Sequence, residues 1–222
     1  MVQMRLRLPV ATSESACPLC DGVADLYGEH ARACPCGGDR TKRHNRLRRA
    51  GLSPELEKPG LLPPRLDDAG FPEDGVRSTC ARRPADVWVP SWGMHGPAAF
   101  DLAVTVGLRP GRHAAVAVAA DRPAADYEAR KSSHLNTRAV CEAQGLQFIP
   151  LVVEASGGWA PSAVRTWKEL AAALALRTGE PVSQESDRLY QALAISLQRE
   201  NARAVLRRIP ETPVHEPPLA DP

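Results

Sequence analysis

Asp86 and Asp101 are the residues of this chain best placed to do chemistry, because each interrupts an apolar, strand-like run: Arg83-Pro84-Ala85-Asp86-Val87-Trp88-Val89-Pro90 and Ala99-Phe100-Asp101-Leu102-Ala103-Val104-Thr105-Val106. Carboxylates are disfavoured inside strands and costly to bury unpaired, so two of them about one hairpin apart point to a site for a hard cation. Fourteen residues intervene between the pair, a spacing that lets antiparallel strands bring both to one end of a sheet. Each then offers one oxygen to Mg²⁺ or Mn²⁺, with the Leu102 carbonyl as a third ligand and waters completing the octahedron. Such an ion polarises a phosphodiester and lowers the pKa of an attacking water. Lys131 would stand near that water or near the charge developing on the phosphate. Tyr127, Lys131 and His134 recur at i, i+4 and i+7, so one helical face can present all three. Glu154 at the end of a later apolar run and Glu57 are further acidic candidates, whereas Trp159 and Trp167 read as packing residues. The competing readings are an Asp86 that merely begins a surface strand after Pro84 and a Lys131 that is an ordinary exposed helical lysine. Taken together, the residues read as a metal-dependent nuclease.

A second set of ligands lies upstream. Cys17-Pro18-Leu19-Cys20 puts two thiolates on a tight turn, and His30 and Cys34 follow ten and fourteen residues after Cys20. That set closes a tetrahedral Cys3His site of the kind that holds Zn²⁺, and four protein ligands make it structural because no position stays open. Cys36 competes for the fourth place, and His44 is a more remote candidate. The clustering favours metal over disulfides, with Cys80 and Cys141 standing apart; free thiols in a disordered leader are the bland alternative. Arg40, Lys42, Arg43, His44 and Arg46 follow at once, continued by Arg48 and Arg49. At helical spacing they read as phosphate contacts for nucleic acid or, alternatively, as a solvated face. Arg199, Arg203, Arg207 and Arg208 form a second basic segment.

The elements that must position these residues follow from pattern. Helices are expected from Asp39 to a stop at Gly51, over 124–142 with a stop at Gly145, over 162–175 and over 187–208. Strands are expected at 56–58, 85–90, 99–107 and 148–153, the last apolar on both faces. Residues 53–75 read mainly as loop, 114–120 is ambiguous, and the Pro-rich 210–222 reads as a disordered tail. The expected organisation is a leader at 1–16 that ends a larger parent protein, a zinc-knuckle module at 17–45, a core at 46–178, a basic helix at 179–209 and the tail. The fold class is α/β, a small mixed sheet flanked by helices with the zinc knuckle N-terminal to it. With 222 residues, 43% of them hydrophobic, the chain is long enough for a real core. A net charge of +2 does not by itself announce a polyanionic partner. Neither a membrane-length apolar run nor a signal peptide is visible, so no membrane partner and an intracellular location are expected.

The order of these motifs resembles the restriction-enzyme-like endonuclease at the C-terminus of early-branching, site-specific non-LTR retrotransposon proteins. The resemblance spans most of the chain. It is carried by Cys17-x-x-Cys20 with His30 and Cys34, Arg43-His44-Asn45, Arg83-Pro84-Ala85-Asp86, Phe100-Asp101, Lys131, and Phe148-Ile149-Pro150-Leu151-Val152-Val153-Glu154 followed by Gly158-Trp159. It implies a restriction-endonuclease-like core of the PD-(D/E)xK type that nicks target DNA to prime reverse transcription, using Mg²⁺ or Mn²⁺ for catalysis and structural Zn²⁺. Asp86, Asp101, Lys131, Tyr127 and Glu154 are then the catalytic candidates. DNA is the implied partner, together with element RNA and a reverse transcriptase domain outside this chain, and the nucleus is the implied location. The strict motif has a Lys two positions after the second acidic residue. Ala103 stands there instead, and the branch implies that Lys131 supplies the amine from the following helix. The alternative is a decayed, zinc-containing nucleic-acid-binding remnant.

Overall fold

Continuous apolar runs make the sheet. The structure, a computed structural model, describes residues 8–51, 55–56, 61–62, 85–94, 96–107 and 122–208. Two short antiparallel strands, β1 (Ser15–Ala16) and β2 (Val23–Ala24), open the chain and lead into the one-turn helix α1 (Glu29–Ala33) and the longer α2 (Asp39–Gly51). A four-stranded sheet follows, ordered β3 (Glu55–Leu56), β4 (Val87–Val89), β5 (Ala98–Thr105), β6 (Gln147–Glu154). β4 is antiparallel to both of its neighbours, and β6 runs parallel to β5 with Asp101 opposite Pro150. Parallel neighbours need a crossover, and α3 (Arg122–Ser133) with α4 (Thr137–Ala143) lies on it, ahead of α5 (Pro161–Thr178) and α6 (Val182–Leu206).

The two-residue period of β5 sends its side chains to opposite layers. Ala98, Phe100 and Leu102 join Leu47 of α2, Ala163 and Trp167 of α5, and Leu189, Leu193 and Leu197 of α6 in the main core. On the other face Ala99 packs with Cys141 of α4 and Phe148, and Ala103 packs with Ala124 of α3 and Val152. The molecule is therefore mixed α/β, a small mixed sheet flanked by helices. Asp101 belongs to the α3/α4 face, between Ala99 and Ala103 on the strand.

Two expectations change. The helix expected over 124–142 is two helices, because Leu135 and Asn136 take φ of 51° and 52° and a 3₁₀ turn, His134–Asn136, separates α3 from α4. The last helix begins at Val182, directly after Pro181, and not at 187; a proline fits just ahead of a helix, where its missing N–H is no loss. α2 runs across residues 45 and 46, and α6 contributes Leu189, Leu193 and Leu197 to the main core. Residues 114–120, Glu57, Cys80, the first seven residues and the 210–222 tail lie outside the described residues.

Candidate functional site

Asp86 sits immediately before β4, where its N–H donates to the Phe100 carbonyl at 3.1 Å and its Oδ2 accepts the Leu102 N–H at 2.7 Å. The carboxylate thus takes over a backbone donor at the frayed end of the β4–β5 ladder, which fixes it beside Asp101 on the next strand. Asp101 is clamped from above by Lys131 of α3, whose Nζ lies 2.8 Å from Oδ2. His44 of α2 reaches Asp86 Oδ2 with Nε2 at 2.9 Å. Asp86, Asp101, Lys131, His44 and Tyr127 line one open polar cleft of about 380 Å³, walled also by Pro35, Arg40 and Thr41. The sequence places Asp86, Asp101, Lys131 and Tyr127 at one site, and the structure brings these four together.

The electrostatics are those of two partly buried carboxylates with the Lys131 ammonium beside one and the His44 imidazole beside the other. Burial pushes Asp86 up, but the His44 hydrogen bond and charge, the Leu102 N–H and Lys131 outweigh it and hold its carboxyl below the usual range. Asp101 goes the other way: burial, with the Asp86 charge adding to it, raises it despite Lys131. Lys131 is raised, because burial is outweighed by the Asp101 carboxylate, so it stays protonated through neutral pH.

Other candidates fall elsewhere. Glu154 is opposite Thr105 in the β5–β6 ladder, four residues along from the Asp101 row, or roughly 13 Å at strand spacing. Its Oε2 accepts the Ser156 hydroxyl at 3.0 Å. His134 leaves the face it was expected to share, because α3 ends at Ser133 and the 3₁₀ turn turns it outward, exposed. Leu102, whose carbonyl was the expected third ligand, lines the same cleft, and its N–H donates to Asp86 Oδ2. Trp159 and Trp167 pack edge-to-face with centroids 5.5 Å apart, as packing residues do.

The Cys/His cluster is compact. The ligand atoms of Cys17, Cys20, His30 and Cys34 all lie within 4.8 Å of one another. Cys34 Sγ is 3.6 Å from Cys20 Sγ, and His30 Nε2 is 3.3 Å from Cys20 Sγ. Sulfurs sharing a tetrahedral zinc at bonds of about 2.3 Å stand about 3.8 Å apart, and a sulfur and a nitrogen about 3.5 Å apart, so the donor set fits a metal ion. Local hydrogen bonds build it: Asp25 accepts the N–H groups of Tyr27, Glu29 and His30 at 2.9, 3.1 and 2.6 Å, which starts α1 and aims His30. The Gly22 N–H points at Cys20 Sγ at 3.4 Å. That N–H favours the Cys20 thiolate, but burial and the adjoining Cys34 and Cys17 sulfurs raise Cys20 to about 11, the repulsion a bound cation would relieve. Cys34 completes the group that could hold an ion, whereas Cys36 lies outside it and gives its carbonyl to Arg208 at 3.1 Å. His44, the remote candidate, is at the carboxylate cleft.

Among the residues expected to meet phosphate, Arg40, Lys42 and Arg46 are exposed and Arg40 lines the cleft. Arg43 does not face solvent. It is 2% exposed, and its guanidinium donates to Asn201 Oδ1 at 2.8 Å and to the Arg32 carbonyl at 2.9 Å. Arg207 and Arg208 each lie 2.7 Å from Asp39, Arg208 buried at 2% exposure and Arg207 at the surface. Sequence reasoning missed this anchor between α6 and the Cys/His module. Asp39 read only as the start of a helix, and nothing local marks a partner 168 or 169 residues away.

Comparisons with family models, curated proteins and solved structures return no match.

Proposed function

We propose that this chain is a divalent-metal-dependent DNA endonuclease with a restriction-endonuclease-like core and a structural zinc, of the kind that nicks a target site for a non-LTR retrotransposon protein. The observation that carries the reading is the convergence of Asp86 and Asp101 from adjacent strands on one open cleft, with Lys131 against Asp101. The small mixed sheet flanked by helices supports it, as does Arg40 on the cleft wall, where a phosphate backbone would pass. Asp86 and Asp101 would hold the ion, and bound there it would supply Lewis-acid polarisation of a phosphodiester and a more acidic water. The chain's own groups do the rest. Lys131, kept protonated by Asp101, serves as a cationic donor to the phosphate oxygens and not as a base. Tyr127, one helical turn before Lys131 and under the Arg130 guanidinium at 4.5 Å, offers a hydroxyl at the cleft wall. Cys17, Cys20, His30 and Cys34 would hold the zinc, whose role is to build that wall.

The test is nicking of supercoiled plasmid in Mg²⁺ or Mn²⁺. The reading expects cutting by the wild-type chain and none by Asp86→Ala or Asp101→Ala while DNA retention persists; cutting that survives both substitutions sinks it. One observation favours a second reading, a non-cutting nucleic-acid-binding remnant: Ala103 lines the cleft where the strict motif has a lysine. A wild-type chain that binds DNA with a steep salt dependence yet never cuts supports that alternative.

A further inference from the structure

His44 was read from sequence as a phosphate contact, but the fold turns it to a carboxylate. Its Nε2 is 2.9 Å from Asp86 Oδ2, the same oxygen that accepts the Leu102 N–H at 2.7 Å. A ring nitrogen this close to a carboxylate oxygen carries the proton and donates it. Nε2 in this arrangement therefore has no lone pair to offer a cation and cannot take a proton from water. Its effect falls on Asp86. Among the described residues both hydrogen bonds to this carboxylate fall on Oδ2, which fixes the carboxylate plane and leaves Oδ1 as the oxygen for a cation.

The imidazole is itself held firmly. Leu47, one turn along α2, is fully buried in the main core, and the neighbouring Arg43 is locked to Asn201 Oδ1 and the Arg32 carbonyl. Asn201 in turn donates to the Ala155 carbonyl at 2.6 Å, just beyond β6. α2 cannot rotate without breaking these buried bonds, so His44 is delivered to Asp86 in one orientation.

We propose that His44 is a positioning residue for the cation-binding carboxylate: donating from Nε2, it orients Asp86 and so raises the affinity of the cleft for a divalent metal. The proposal rests on the reading of Asp86 and Asp101 as a divalent-cation site. Outer-shell donors to ligating groups are commonly worth 10–100-fold in metal affinity or activity, and that sets the size of the expected effect.

The experiment is calorimetric titration of the zinc-loaded full chain with Mn²⁺ alone, for wild type, His44→Ala, His44→Gln, Asp86→Ala and Asp101→Ala. Zinc content and duplex-DNA affinity without added divalent metal are measured on the same preparations. His44→Ala is expected to weaken Mn²⁺ binding about tenfold or more. His44→Gln, which keeps an N–H donor, should recover most of the loss, with zinc content and DNA affinity unchanged in both. Mn²⁺ affinity equal to wild type in His44→Ala, or no recovery in His44→Gln, overturns the positioning role. So does a loss of DNA affinity with Mn²⁺ affinity intact, which would return His44 to phosphate binding. The two levels separate cleanly. Mn²⁺ binding lost in Asp86→Ala but untouched in His44→Ala defeats the positioning role alone, whereas wild type and Asp86→Ala binding Mn²⁺ equally defeats the cation site and the proposal with it.

Discussion

Single residues decide whether the proposed sites and the joint between them can form. Gly22 is one: a Cβ there would lie 2.6 Å from His30 Cε1 and 3.4 Å from Cys20 Sγ, inside the space the ligands occupy. Gly22→Ala should purify with its zinc content sharply reduced by atomic absorption. Lys131 is another. Removing one preorganised donor to developing charge typically costs about 10²–10³ in rate, so Lys131→Ala should lower the proposed nicking rate by that order in a plasmid assay. Asp39 is the third, and here the sign follows from its neighbours. Burial pushes its carboxyl up, but the Arg208 and Arg207 hydrogen bonds and charges win and hold it below its ordinary value of 3.8. A carboxyl lowered on folding contributes stability that is complete above pH 3.8 and is lost as pH falls through the lower folded value. Asp39→Asn should therefore flatten the acid end of the stability profile. It should also cost about 3–5 kcal/mol at neutral pH in urea melts, because a buried Arg208 loses its partner.

At the scale of elements, the strands were the most legible part of the sequence. Asp101 announces itself because every neighbour in β5 is apolar or small, and Phe148 to Val153 read as a strand buried on both faces. The split of the crossover helix was not legible. Residues 124–142 keep a helical apolar pattern through Leu135, and only the backbone conformation at Leu135 and Asn136 breaks it. Asn tolerates a left-handed φ and Leu does not. Leu135 is 50% exposed and gains little from packing. Leu135→Gly should thus raise stability by about 1 kcal/mol, relieving the strained φ, and a lowered thermal midpoint would mean that the side chain packs more than its exposure implies. The basic stretch was legible as charge and not as direction. Nothing in Arg40 to Arg46 tells that Arg43 turns inward and His44 turns to Asp86, because both choices are set by contacts with α6 and β4.

At the scale of the molecule, the Cys/His module and the carboxylate cleft are one construction. α1 and α2 pack on α6, Arg207 and Arg208 at its C-terminus grip Asp39, and Pro35 with Arg40 walls the cleft that holds Asp86 and Asp101. Stripping the proposed zinc should therefore lower the thermal midpoint by on the order of 10 °C. It should also reduce Mn²⁺ uptake at the carboxylates, since His44 rides on the same helix. This long-range coupling is the part the sequence could not display, because it joins residues near both ends of the described chain. The central claim is that Asp86 and Asp101 together make a metal-dependent phosphodiesterase, and its most direct test is one time course. End-labelled duplex DNA is incubated in Mg²⁺ with wild type or Asp101→Asn, with bound DNA measured in the same tubes. The account predicts nicking by wild type, loss of at least about 10³-fold in Asp101→Asn, and equal DNA retention; equal cutting by the two proteins, or none by either, contradicts it.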